Sequence, residues 1–220
     1  ESPKQERPFD KLGFLTLSLC IACIQLMLDR GESEDWLDSM EIQLYVAVII
    51  ASVWMYVVHT LQEPHPFLSP GMLKDKNLQL GLFFMFIVGM VLLTTMALMP
   101  PYMQNLMGYS VLDVGFILAP RGFGTLMAMM IVSRVASRID QRQLILLGLL
   151  LTAYALERMC RFTTFVPAGE ITITGMIQGF GLGFVFIPLS SASYTTLDPK
   201  YRAEAASLFS LVRNLGSSIG

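Results

Sequence analysis

An arginine stands inside the apolar run ILAPRGFGTLMAM, residues 117–129, directly after Pro120. A guanidinium is a permanent charge with five N–H donors. Carried to the middle of a bilayer it costs roughly 2.5–3.5 kcal/mol on insertion scales, so such residues mark pathways or partners. Arg121 is therefore the first candidate for the wall of a substrate pathway. Pro120 cannot donate a backbone hydrogen bond, which frees the carbonyl of Phe116. Gly122 and Gly124 thin the helix around the charge. A thin, bent helix carrying a cation is expected to face a wet cavity. The other use of Arg121 is a structural ion pair, with Glu157 on the next helix as its acid.

Glu157 is also a candidate proton carrier, as is Asp113. Each has a plainer reading. Glu157 and Arg161 stand at i, i+4, the spacing of a helix-surface ion pair. Ser110 to Asp113 reads SVLD, the form of a capping box that starts a helix. Gln178, Arg213 and Asn214 complete the list of polar groups inside apolar runs that could line a pathway.

Glycines supply a second pattern. In GMIQGFGLGFVFIPLS, Gly175, Gly179 and Gly183 recur every four residues and so share one helix face. Gly216 and Gly220 repeat that spacing near the end. Such faces let two helices approach closely, either as fixed packing or as surfaces that slide. Pro188 is expected to bend the inner end of its helix. On the inner side, Arg134, Arg138 and Arg142 recur every four residues, as ordinary topological charge or as a latch.

The elements that position these groups are apolar blocks. The chain of 220 residues is 54% hydrophobic and 15% charged, against about 25% charged in soluble domains. Blocks of about 18 apolar residues read as membrane-spanning helices. Seven occur, at 12–28, 42–61, 78–98, 114–132, 144–160, 171–189 and 203–220, the last cut short. The predicted fold is all-α and polytopic. The division is a cytoplasmic linker (1–11), a helix pair (12–61), a cytoplasmic connection stiffened by Pro64, Pro66 and Pro70 (62–76) and a bundle (77–220). The connection is expected to run along the inner surface.

Charge sets the orientation. With the first linker inside, Lys4, Arg7, Lys11, Lys74, Lys76, Arg134, Arg138, Arg142, Lys200 and Arg202 fall inside. Only Arg30, Arg158 and Arg161 fall outside, so the bias is positive-inside. The loop DRGESEDWLDSME is acidic and outer. No basic tract argues for nucleic acid. Cys20 and Cys23 lie in an apolar run, where C-x-x-C is not a redox motif, and with Cys160 are expected to be free thiols. His59 and His65 lack metal-ligand spacing. No nucleophile elbow, zinc signature or phosphate loop is present, so no cofactor or metal is expected. Both ends read as cut from a longer chain.

Four stretches, LDRGESEDWLDSMEI, APRGFGTLMAMMIVSRVASRID, IQGFGLGFVFIPLS and LDPKYRAEAASLFSLVRNLGSSIG, together resemble the EmrB/QacA-type drug:proton antiporters. These form the fourteen-helix branch of the major facilitator superfamily. The resemblance covers nearly the whole chain. It implies helices seven to thirteen of a multi-pass inner-membrane exporter of drugs or other amphipathic toxic molecules, driven by the proton gradient. It further implies, in Gram-negative bacteria, a periplasmic adaptor and an outer-membrane channel as partners, while some members of the family work alone. The family's loop motif Gly-x-x-x-Asp-Arg-x-Gly-Arg is degenerate. Ser133 replaces its first glycine, Ser137 the aspartate and Asp140 the second glycine, while Arg138 matches. The family's main coupling acids and its antiporter motif belong mostly to a half not in this sequence. A truncated non-transporting scaffold, a transporter of another solute class and a membrane-embedded enzyme are the competing expectations.

Overall fold

The computed structural model describes residues 10–63, 67–68, 71–136 and 138–219. The linker with Lys4 and Arg7, Pro64, His65, Pro66, Pro70, Ser137, Gly220 and the side chain of Lys200 lie outside the described residues. Seven α-helices follow in order: α1 (Lys11–Arg30), α2 (Met40–Gln62), α3 (Lys76–Pro101), α4 (Val111–Val135), α5 (Gln141–Cys160), α6 (Ala168–Tyr194) and α7 (Arg202–Ile219). They coincide with the seven apolar blocks. Helices α1 to α6 are long and apolar enough to cross a membrane. Helix α7, by contrast, is strongly amphipathic and carries Arg202, Glu204 and Arg213.

Local chemistry sets the starts. The side chains of Asp10, Ser39, Asp75, Ser110 and Asp140 each accept a hydrogen bond from a backbone N–H of the helix that follows. These caps satisfy donors that the first turn leaves unpaired. One expected end is wrong. The third block continues through Pro100 and Pro101 and passes into a π turn, Tyr102–Leu106. The prolines remove two ladder donors, and the chain widens rather than stopping. Gly108, at φ 73°, makes the turn into α4.

Packing centres on α6, which lies against α4, α5 and α3, while α3 pairs with α7 and α1 with α2. Met85, Val88, Leu182, Val185 and Phe209 form the main core. The outer surface is apolar. Leu15, Trp54, Leu80, Phe116, Leu126 and Leu150 are all well exposed, as lipid-facing residues are. With six such helices and this surface, the chain is a multi-pass membrane protein.

The connection after α2 does more than follow the inner surface. Leu68 and Met72 are buried with Leu78, Leu197 and Phe209, so the segment plugs the inner end of the bundle. Two aspartates staple it. The buried Asp10 accepts hydrogen bonds from Gly13 N–H, from His59 Nε2 at 2.8 Å and from Phe67 N–H at 3.0 Å. Asp75 accepts from the Thr196 hydroxyl at 2.6 Å and from Asn77 and Leu78 N–H.

Both carboxyls sit below their ordinary pKa. At Asp10 burial pushes upward, but the hydrogen bonds and the neighbouring His59 outweigh it. At Asp75 the Thr196 hydrogen bond leads. A carboxyl with a depressed folded pKa stabilises above its unfolded value, near 3.8 for both. That contribution is lost as pH falls through the folded value. Asp10→Ala is expected to cost about 1–2 kcal/mol, the loss of a strong cap. A lower unfolding midpoint in mixed-micelle titration at pH 7 would show it. The deficit should shrink below about pH 4.

Candidate functional site

The site residues gather where α4 crosses α6. Arg121 lies ten residues into α4 and Gln178 ten residues into α6. At about 1.5 Å per residue both stand roughly 15 Å below the outer helix ends. The crossing is built on glycine. A Cβ at Gly179 would stand 2.1 Å from the Arg121 carbonyl oxygen, and one at Gly183 would stand 2.6 Å from the Ala128 Cβ. A Cβ at Gly124 would stand 2.5 Å from the Met176 carbonyl. Backbone therefore touches backbone across the interface. Gly175 sits more loosely, with Arg121 Cβ 3.8 Å from its ideal Cβ position, and Gly122 faces open space. Pro188 is buried within α6, which continues through it.

Arg121 is half-buried over this crossing. Its Nη2 atom is shielded and has no hydrogen-bond partner, and no carboxylate among the described residues pairs with it. The expected pairing with Glu157 is not made. Glu157 is exposed and pairs with Arg161 on its own helix. It lies three residues from the end of α5, about 10 Å away from Arg121 in depth, and the arginine does not span that gap. Arg158 instead ties α5 to α6 through Glu170. Asp113 is exposed in the expected capping arrangement. The Ser110 hydroxyl donates to its carboxylate at 2.7 Å and accepts from its N–H.

Gln178 is fully buried. Its Nε2 donates to Thr95 Oγ1 at 2.9 Å, and Thr95 in turn donates to the Val91 carbonyl. Gln178 Oε1 is buried and unpartnered. Instead of lining an open pathway within this chain, Gln178 pins α6 to α3. Thr95 carries no signal that sequence reasoning would flag, being one of two adjacent threonines in an apolar run. It also lines a cavity of about 820 Å³ between the outer ends of α3 and α5, with Tyr102, Asn105 and Met159.

The last helix meets α3 through a second glycine crossing. A Cβ at Gly216 would stand 2.3 Å from the Phe86 carbonyl, and one at Gly89 would stand 2.2 Å from the Arg213 carbonyl. Arg213 is half-buried and lines a cavity of about 390 Å³ among α3, α6 and α7. Asn214 is exposed. A third crossing joins α5 to α6, where Gly148 and Gly181 stand against each other and beside Thr152. Gly148 and Thr152, four residues apart, carried a readable small-residue signal; Gly81 and Gly89 of α3, eight apart, carried a weaker one. Arg134, Arg138 and Arg142 are exposed at the inner end, and among the described residues none has an ion-pair partner. Cys20, Cys23 and Cys160 are free thiols. Among the described residues no cluster of acids, histidines and cysteines could hold a metal.

Comparison with known proteins gives this arrangement a family. The multidrug export protein EmrB of Escherichia coli (strain K12) is 29% identical over 223 aligned positions, which cover 100% of this chain and 43% of that protein. The probable multidrug resistance protein EmrY of the same organism is 30% identical, over 94% of this chain and 41% of its own length. The fatty acid resistance protein FarB of Neisseria gonorrhoeae is 26% identical, over 100% and 43%. The chain thus spans less than half the length of these relatives. The profile of the Major Facilitator Superfamily matches residues 12–220, from the first turn of α1 to the last residue, and the chain belongs to that superfamily.

Proposed function

We propose that this chain supplies one wall of a secondary transporter that exports amphipathic toxic small molecules, drugs among them, in exchange for protons across an inner membrane. The observation that carries the reading is Arg121, a half-buried cation at mid-depth beside a glycine crossing, one N–H group of which has no partner. An unpaired charge held there costs stability, and a wet solute pathway gives it a use. The names of relatives concerned with multidrug export and fatty acid resistance support the substrate range.

In this account solute binds near the midplane between the present helices and the rest of a transporter of the relatives' length. Rocking exposes it to each side in turn. The tight α4–α6 and α3–α7 crossings keep this wall rigid as it rocks against the rest of the transporter. Arg121 and Arg213 face solute, and Gln178 holds α6 against α3. Proton coupling rests with acids outside this chain, Glu157 and Asp113 being committed to an ion pair and a cap. The transporter needs no cofactor, and a periplasmic adaptor with an outer-membrane channel would complete export.

The test is accumulation of a fluorescent amphipathic drug in cells making a transporter of that length with this sequence. Lower accumulation that returns to the control level on adding an uncoupler is expected. Accumulation unaltered by the protein would end the transporter reading, and export untouched by the uncoupler would end proton coupling.

A further inference from the structure

The two glycine crossings repeat one another residue by residue. On α4, Gly124 follows Arg121 by three positions, and on α7 Gly216 follows Arg213 by three. On the facing helices Met176 precedes Gly179 by three, as Phe86 precedes Gly89. Each contact has its counterpart. The Arg121 carbonyl oxygen would stand 2.1 Å from a Cβ at Gly179, and the Arg213 carbonyl oxygen 2.2 Å from one at Gly89. The Met176 carbonyl oxygen would stand 2.5 Å from a Cβ at Gly124, and the Phe86 carbonyl oxygen 2.3 Å from one at Gly216. With the basic loops inside, α4 and α6 run inward while α3 and α7 run outward. The pairs α3–α4 and α6–α7 are therefore related by inversion, the arrangement that frames midplane solute sites in transporters.

Inversion sends the two arginines opposite ways. A Cα–Cβ bond tilts toward the N-terminus of its helix. Arg121 thus leans toward the outer end of α4, and Arg213 toward the inner end of α7. The space beside each follows the same rule. Arg213 lines the cavity of about 390 Å³ together with Ala206, Phe209 and Ser210, which precede it on α7 and so lie on its inner side. Tyr194, the last residue of α6 at its inner end, lines it too. At Arg121 the room is on the outer side. Gly175, one turn outward of Gly179, has only the Arg121 Cβ within 4 Å of its ideal Cβ position. Neither arginine has a carboxylate partner among the described residues, so neither is spent on an ion pair.

We propose that Arg213 and Arg121 are the inner and outer arms of one solute relay. Arg213 engages solute entering from the inner side, and Arg121 engages it on the way out. Each guanidinium offers donors to a hydrogen-bond acceptor on the solute, and each meets water in one rocking state and is covered in the other. The relay rests on the transporter reading and adds to it a division of labour between the two cations.

The test introduces Arg121→Cys and Arg213→Cys singly into the transporter, stripped of its native cysteines, and follows reaction with a membrane-impermeant charged maleimide. Everted vesicles present the inner side and intact cells the outer. In everted vesicles position 213 is expected to react at least about 10-fold faster than position 121, and in intact cells at least about 10-fold slower, since charged positions within spans face the interior or water. Drug uptake into everted vesicles gives a second readout. Arg213→Gln should raise KM at least about 5-fold with kcat largely kept, the mark of binding lost on the loading side. Arg121→Gln should instead lower kcat with KM largely kept, the mark of a contact made only after loading. Should either cysteine variant fail to reach the membrane, Arg213→Lys and Arg121→Lys should show the same kinetic split, smaller in size.

The same order of reactivity from both sides, or equal rates at the two positions, overturns the relay. One shared kinetic defect in the two glutamine variants overturns it as well. Those results leave transport itself standing, whereas failure of the unmodified transporter to export drug sinks the transporter reading.

Discussion

Gly179→Leu is expected to force α4 away from α6 and to abolish export. The obstacle at position 179 is backbone: the Arg121 carbonyl oxygen 2.1 Å and its carbon 3.0 Å from the ideal Cβ, with Thr125 Oγ1 at 2.8 Å. Turning the Thr125 side chain aside would not clear the Arg121 carbonyl, so a helix must move. Overpacking of this kind costs about 1–3 kcal/mol and more where backbone yields. The expected readings are a lower midpoint of thermal unfolding in detergent and loss of drug export. Two neighbours give the control. Gly122 meets nothing within 4 Å and Gly175 only Arg121 Cβ at 3.8 Å. Gly122→Ala and Gly175→Ala should leave the midpoint close to wild type, within about 1 kcal/mol, the ordinary helix-propensity gap between the two residues. A Gly179→Leu protein with wild-type stability and export would show that the crossing is looser than described.

Arg121→Ala is expected to cut export at least about 10-fold while leaving membrane abundance intact or slightly raised. The reasoning is energetic. A guanidinium engaged in a buried ion pair would, on removal, leave its acid uncompensated at a cost of about 3–5 kcal/mol. Arg121 has no such acid among the described residues, and its Nη2 lacks a partner. Its removal relieves desolvation and leaves no orphaned charge. Arg121→Lys should restore part of the export, since a point charge replaces a planar fork of donors. Quantitative blotting of membranes beside the export assay separates the cases. Collapsed abundance would mark Arg121 as a structural residue.

The sequence announced most of this architecture, and physical reasons sort what it announced from what it did not. Apolar blocks marked the helices, and the SVLD box at Ser110 to Asp113 marked the start of α4, because capping is local chemistry. The four-residue recurrence of Gly175, Gly179 and Gly183 named a face, and that face meets α4. What stayed hidden depended on neighbours distant in sequence. Gln178 looked like a pathway residue because a lone amide in an apolar run stands out. Its burial against Thr95, 83 positions away, follows from how α3 and α6 pack. Of the two partners the sequence offered Glu157, the i, i+4 pair with Arg161 is the one made, at the outer rim; depth, which depends on helix packing, excludes Arg121. The third apolar block ends at Leu98, yet the helix runs on through Pro100 and Pro101 into a π turn. Leu68 and Met72 sat in what looked like a surface strap, and tertiary packing pulls them into the core.

The central claim is that α4 turns Arg121 toward a watery crevice and away from acyl chains. The direct measurement replaces Cys20, Cys23 and Cys160 with alanine, introduces Arg121→Cys in the transporter, and follows reaction with a charged, membrane-impermeant maleimide. Leu126→Cys, on a well-exposed apolar position of the same helix, serves as the lipid-facing reference. Labelling at 121 that is at least about 10-fold faster than at 126, and slowed by added substrate, is the expected result, since charged groups within spans face the interior or water. Position 121 inert to the maleimide, yet quenched as readily as 126 by a lipid-soluble agent, would contradict the account.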